Sequence, residues 1–157
     1  MALYKRSQID LVVSNALRAA EARIAGKTLM FLGVGEARQV ITLIEKGYCN
    51  RFVRQCFETA LGMTPFSWYF GAAKAKDTLA KLAPYEVAKP EAGDIVGWSG
   101  DPGHIAIVLG DVYGDGRFLV AENTSSSSRG EPRAAGTKLT RLSSIRAAGR
   151  KFFRLWA

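Results

Sequence analysis

The spacing of apolar residues changes once along this chain, near Pro84, and that change limits the folds open to it. Before Pro84 the apolar positions recur every three or four residues. Ile9, Val12, Val13, Ala16, Leu17, Ala20 and Ile24 form one helical stripe, with Asn15, Arg18, Glu21 and Arg23 opposite and Gly26 as the stop. Gly33 and Gly35 break the chain. A short helix is expected from Glu36 to about Lys46, burying Ala37, Val40, Ile41 and Ile44 and ending at Gly47. The next helix is expected from Cys49 to about Leu61, on the stripe Phe52, Val53, Cys56, Phe57, Ala60 and Leu61, with Gly62 as its stop. A further helix is expected from roughly Ala72 to Leu82.

After Pro84 the period falls to two. Ile95 to Trp98, His104 to Leu109 and Phe118 to Asn123 read as three strands joined by the Gly/Pro turn at 99–103 and the polar turn at 110–116, an antiparallel meander. The Ser-rich stretch from Thr124 to Gly136 reads as a mobile loop, and Leu142 to Trp156 as carrying a closing strand. Helices first and strands after predict an α+β fold, the N-terminal helices packed on a small antiparallel sheet. The 157 residues are expected to form one domain: a helical extension over 1–45, a core over 46–125, and a loop with a closing strand over 126–157.

Composition removes several classes. Hydrophobic residues at 48% and charged residues at 23% fit a packed core rather than disorder. No apolar run approaches the roughly 20 residues that span a bilayer, so no membrane partner is expected. The start, Met1 to Asp10, lacks the apolar stretch and cleavage site of a signal peptide, so either export by another route or a leader already removed is expected. The formal charge of +8 favours an anionic partner. Nucleic acid is not expected: the arginines and aromatics of Arg141 to Trp156 come without a helix-turn-helix, RNP or zinc pattern. Gly33-Val34-Gly35-Glu36-Ala37-Arg38 begins like a dinucleotide loop, but its sixth position is Arg38 and no βαβ unit follows. No cofactor is expected.

The chemistry narrows to few side chains. The chain has one histidine, His104, and two cysteines, Cys49 and Cys56. One imidazole and two thiols on a single helix do not surround an ion, so no metal site is expected. Seven residues apart on that helix, the cysteines are about 10 Å apart, too far for a disulfide. Cys56, mid-helix on the apolar stripe, reads as a core thiol. Cys49 sits at the helix start, where free N–H groups and the dipole stabilise a thiolate. His104 opens the second strand, sharing its face with the small Ala106 and with Val108. A third group must orient the imidazole. Glu122 and Asn123, at the end of the neighbouring strand, alternate, so only one can face His104. The smaller neighbours of Asn123 favour it, leaving Glu122 to polarise the site or bind substrate.

Four segments together resemble a known group: Cys49-Asn50-Arg51-Phe52-Val53 at a helix start, Ala92-Gly93-Asp94-Ile95-Val96-Gly97-Trp98, Gly103-His104-Ile105-Ala106-Ile107-Val108, and Val120-Ala121-Glu122-Asn123-Thr124-Ser125. They resemble the CHAP and NlpC/P60 superfamily, papain-like peptidoglycan hydrolases, over roughly residues 45 to 125. The resemblance implies a Cys-bearing helix packed on a sheet that carries the His and a polar third residue. It implies thiol catalysis by Cys49 and His104 with Asn123 or Glu122, and peptidoglycan as partner, outside the cell or in the periplasm. An N-acetylmuramoyl-L-alanine amidase or an endopeptidase, as in a phage lysin or virion component, fits it. A non-catalytic module holding an anionic polymer on the same scaffold is the alternative. Tyr48, Trp68 and Trp98 are the expected substrate contacts. The NlpC/P60 branch shows Asp-Cys-Ser-Gly at the nucleophile where this chain has Tyr48-Cys49-Asn50-Arg51, and the Glu122-Asn123 strand end is closer to CHAP.

Overall fold

A computed structural model describes residues 2–22, 28–32, 38–42, 49–61, 74–100, 103–124 and 136–157, with backbone alone over 28–32 and 38–42. The helices are α1 (Arg6–Ala22), α2 (Cys49–Leu61) and α3 (Ala75–Leu82). The strands are β1 (Thr28–Leu32), β2 (Arg38–Thr42), β3 (Glu86–Val87), β4 (Ile95–Trp98), β5 (His104–Gly110), β6 (Leu119–Thr124), β7 (Gly136–Arg141) and β8 (Lys151–Phe153). β1 and β2 form a separate antiparallel pair, Thr28 opposite Thr42 and Leu32 opposite Arg38. The other six form one antiparallel sheet in the order β3-β8-β4-β5-β6-β7. The class is the expected α+β.

The period-two alternation sorts the sheet's side chains onto two faces. Ile95, Ile105, Ile107, Leu109, Leu119, Ala121 and Phe153 face the helices. There they meet Ile9, Val12 and Ala16 of α1, and Phe52, Val53, Cys56 and Phe57 of α2. Burying one such Ile or Phe contributes about 1.5–3 kcal/mol, so this layer holds the helices against the sheet. The other face carries a second cluster of Val96, Trp98, Ala106, Val108, Val120 and Ile145, flanked by Phe118, Leu142 and Phe152. Both faces of β4, β5 and β6 are therefore buried.

The Gly93-Asp94 step before β4 is a structural joint. Gly93 has φ +96, and a Cβ there would run into Ile9 Cγ2 of α1, so only glycine lets α1 approach the chain this closely. Asp94 is fully buried. It accepts Arg154 Nε at 2.9 Å and Nη2 at 2.7 Å, and the Glu91 amide at 2.7 Å. That forked pair fastens the chain after β8 to the start of β4. Trp156 lies between the guanidiniums of Arg154 and Arg6, at 5.0 and 4.3 Å from its ring centre. The Leu3 and Tyr4 amides donate to the Leu155 carbonyl, so the two ends of the chain close together.

One expectation differs from the structure, and two strands were not expected. The segment expected to be a helix from Glu36 to Lys46 contains strand β2 at Arg38–Thr42, so residues 1–45 are not helical throughout. Val40, Ile41 and Thr42 are β-branched, which favours a strand once β1 is there to pair. The loop expected to reach Gly136 gives way there to β7, which pairs with β6 along its whole length. Its Thr137-Lys138-Leu139-Thr140 alternation is short and polar, a weak signal without the partner strand. The rest of that expected loop, 125–135, lies outside the described residues. The short β3 was not expected; it is completed only by pairing with β8.

Candidate active site

Helix α2 begins at Cys49, so that residue's sulfur sits at the positive end of the helix with unsatisfied amides around it. The start of α2 is anchored by the buried Asn50, whose Oδ1 accepts the Thr78 hydroxyl of α3 at 3.0 Å. β5 carries His104 on the face away from the helices. The β5–β6 ladder stops at Ile107 opposite Ala121, short of His104. At that end the Ile105 amide donates to the Cys49 sulfur, and the sulfur is hydrogen-bonded to the imidazole. Helix tip and strand tip meet where the ladder has ended.

On its other side the imidazole meets Glu122. His104 Nε2 lies 2.7 Å from Glu122 Oε1, with both side chains buried. Nε2 is engaged by the carboxylate, which leaves Nδ1 for the sulfur. Ordering both nitrogens fixes the ring's orientation. Trp98, opposite His104 in the β4–β5 ladder, packs on the imidazole with ring centres 5.0 Å apart.

The electrostatics follow from these contacts. Burial drives the Cys49 thiol up, but the hydrogen bond and charge of His104 and the amides of Ile105 and Asn50 outweigh it, and its pKa falls below the ordinary thiol value. Burial drives His104 down, but its hydrogen bonds and charge interactions with Cys49 and Glu122 hold its pKa above the ordinary imidazole value. Both shifts favour one state, a thiolate beside an imidazolium. Cys56, seven residues along the same helix, has burial alone acting on it, and its pKa is pushed up. Both cysteines are free thiols.

The preference for Asn123 over Glu122 is corrected by the sheet register. Val108 pairs with Val120, so the face shared by His104, Ala106 and Val108 is that of Val120 and Glu122. Asn123 points to the other face, buried, and donates through Nδ2 to Thr137 Oγ1 at 3.1 Å. Parity of the pairing decides the matter, and neighbour size does not. Trp98, expected to contact substrate, is 2% exposed and meets the imidazole rather than solvent. Tyr48 and Trp68 lie outside the described residues. Arg51 is exposed, and Arg54 pairs with Glu58 at 2.8 Å.

One group escaped the sequence reading. Lys138 is fully buried on β7, directly opposite Glu122 in the β6–β7 ladder. Its signal was the alternation of β7, a stretch between the expected loop and the expected closing strand to which no element was assigned. Among the described residues no three of His, Cys, Asp and Glu gather as metal ligands would, and no helix is long and apolar enough to cross a membrane.

Neither the curated proteins nor the solved structures give a match to this chain. The family model of the CHAP domain matches residues 42–124, more than half of the chain, from the end of β2 through β6. That span contains Cys49, His104 and Glu122 together with the Gly93-Asp94 joint. Peptidoglycan-hydrolase function, exerted on the cell wall, comes with that match, and by it the chain belongs to the CHAP domain family.

Proposed function

We propose that this protein cleaves an amide bond of bacterial peptidoglycan by thiol catalysis, with Cys49 as nucleophile, His104 as acid and base, and Glu122 as the group that holds the imidazole. The observation that carries the reading is the hydrogen bond between the Cys49 sulfur and an imidazole whose far nitrogen is 2.7 Å from a buried carboxylate. In this reading the thiolate attacks the amide carbonyl and forms a C–S bond. The developing oxyanion is stabilised by the backbone N–H of Cys49. As the C–N bond breaks, His104 gives its proton to the leaving amine. Water then attacks the thioester, His104 takes its proton, and the acid product leaves with the thiolate and imidazolium restored.

The whole of residues 1–157 acts as one catalytic unit in this reading, since α1 packs on the same core as α2. An amidase at the glycan–peptide junction and an endopeptidase within the peptide are the two forms of the reaction, and a phage lysin or virion-associated enzyme is the setting we favour. The test is release of soluble fragments from purified wall material. Cys49→Ala is expected to lower release by at least about a thousandfold with unchanged circular dichroism. Wild-type release from that variant discards the mechanism. Mass spectrometry of the fragments separates the two forms, because an amidase frees the lactyl carboxyl of muramic acid and an endopeptidase leaves it substituted.

A further inference from the structure

The proposed site places an unusual demand on its surroundings. A thiolate, an imidazolium and a carboxylate in a row carry a net charge of −1, and the row is partly covered at Cys49 and buried beyond it: His104 is 4% exposed and Glu122 fully covered. An unbalanced buried charge costs several kcal/mol unless a counter-charge is near. Lysine is almost never fully buried unless it is paired. Lys138 is fully buried, and the β6–β7 register sets it directly opposite Glu122. Residues opposite each other in an antiparallel ladder share a face, with Cβ atoms about 4.5–5.5 Å apart.

We propose that Lys138 is a positioning residue of the site: from β7 its ammonium keeps Glu122 ionised, and through Glu122 it fixes the imidazolium of His104. The row then reads thiolate, imidazolium, carboxylate, ammonium, alternating in sign and summing to zero. This inference rests on the catalytic reading of Cys49, His104 and Glu122.

The neighbours leave this assignment to Lys138 alone among the described residues. On the same face β4 supplies Val96 and Trp98, β5 adds Ala106 and Val108 beside His104, and the segment after β7 supplies Ile145, none of them titratable, while Arg150 of that segment is engaged with the Leu142 and Ile145 carbonyls and with the Phe152 ring. Helix α2 contributes Cys49. Helix α1 lies over the other face; its charged residues Asp10, Arg18 and Glu21 are exposed, and Arg6 is engaged with Asp10 and the Ala92 carbonyl. Asp94 and Arg154 are engaged with each other at the start of β4. Arg141, at the end of β7, is exposed.

The sign of the effect is fixed. Removing a positive charge beside Glu122 makes the carboxylate hold its proton to higher pH. Below that point the imidazolium loses its partner and the thiolate loses the imidazolium. The acid limb of Cys49 reactivity therefore moves toward alkaline pH in Lys138→Met. The experiment measures the iodoacetamide alkylation rate of Cys49 against pH, read by peptide mass spectrometry on the folded protein. Lys138→Met is expected to raise the midpoint of the acid limb by about one unit, an approximately tenfold loss of rate on that limb. In a Glu122→Gln background the same change is expected to move it by less than about 0.3 unit, because the group through which Lys138 acts is gone. An unmoved limb in Lys138→Met overturns the proposal, as does an equal shift in both backgrounds. If Lys138→Met does not fold, the double variant decides. Recovery of folding in Glu122→Gln/Lys138→Met supports charge compensation, and failure of both rejects it. Alkylation needs no wall substrate, so the two readings fail separately. A wild-type Cys49 that titrates as an ordinary thiol sinks the catalytic reading, whereas an activated Cys49 indifferent to Lys138 sinks only this one.

Discussion

Two buried carboxylates sit on this sheet, and they differ in what faces them. Asp94, at the start of β4, is gripped by the guanidinium of Arg154 at 2.7 and 2.9 Å. Glu122, at the end of β6, faces the imidazole of His104 at 2.7 Å. Arginine does not lose its proton in the accessible pH range, so the Asp94 pair has one state and serves as a strut. Histidine titrates near neutrality, so the Glu122 pair has two states and can move a proton. Both carboxylates are fully buried, and both are engaged at 2.7 Å. The partner's proton affinity separates a structural ion pair from a catalytic one.

The strongest way to break this comparison is to neutralise each carboxylate. Glu122→Gln is expected to lower kcat/KM for wall hydrolysis about a hundredfold, a larger effect than its loss of stability, which comes from leaving Lys138 buried without its counter-charge. Its alkaline limb should move to lower pH, because the imidazolium loses the charge that raises its pKa. A variant with wild-type kinetics and low stability would make Glu122 a strut like Asp94. Asp94→Asn should do the reverse. Breaking one side of a buried pair costs about 3 kcal/mol. Chemical denaturation should show that loss, with kcat/KM per folded molecule changed by less than about threefold. An intact stability curve would show that the joint rests on Gly93 and the terminal packing instead.

The comparison sharpens with the cysteines, where the expected change is smallest. An ordinary thiol of pKa ~8.5 loses well over tenfold in thiolate between pH 8 and pH 6. Cys49, with its pKa held down by His104, should lose less in alkylation rate over the same interval than an ordinary thiol does. Cys56, with burial raising its pKa, should stay unmodified until the protein unfolds. Equal titration of both would mean that the imidazole does not activate Cys49.

Several of these features were legible before any coordinates. The helical stripe of α2 and the placement of Cys49 at its start follow from spacing and a glycine stop. The β4–β5–β6 meander follows from alternation and turn residues. Its end residues made His104 and the Glu122-Asn123 pair candidates, because the chain holds one imidazole. The hairpin β1–β2 was not legible, since a short β-branched run such as Val40-Ile41-Thr42 fits two periods until its partner is known. Nor was β7, whose threonines and lysine look like loop composition.

The sequence alone determined which elements form where local period and turn chemistry agree, and which residue types are available to act. Only the tertiary structure decided that Glu122 faces the imidazole, that Asn123 turns to the helices, and that Lys138 is buried opposite Glu122. Each of these depends on register between strands distant in the chain. Shifting a pairing by one residue reverses every side chain, and no local pattern records which partner a strand will meet.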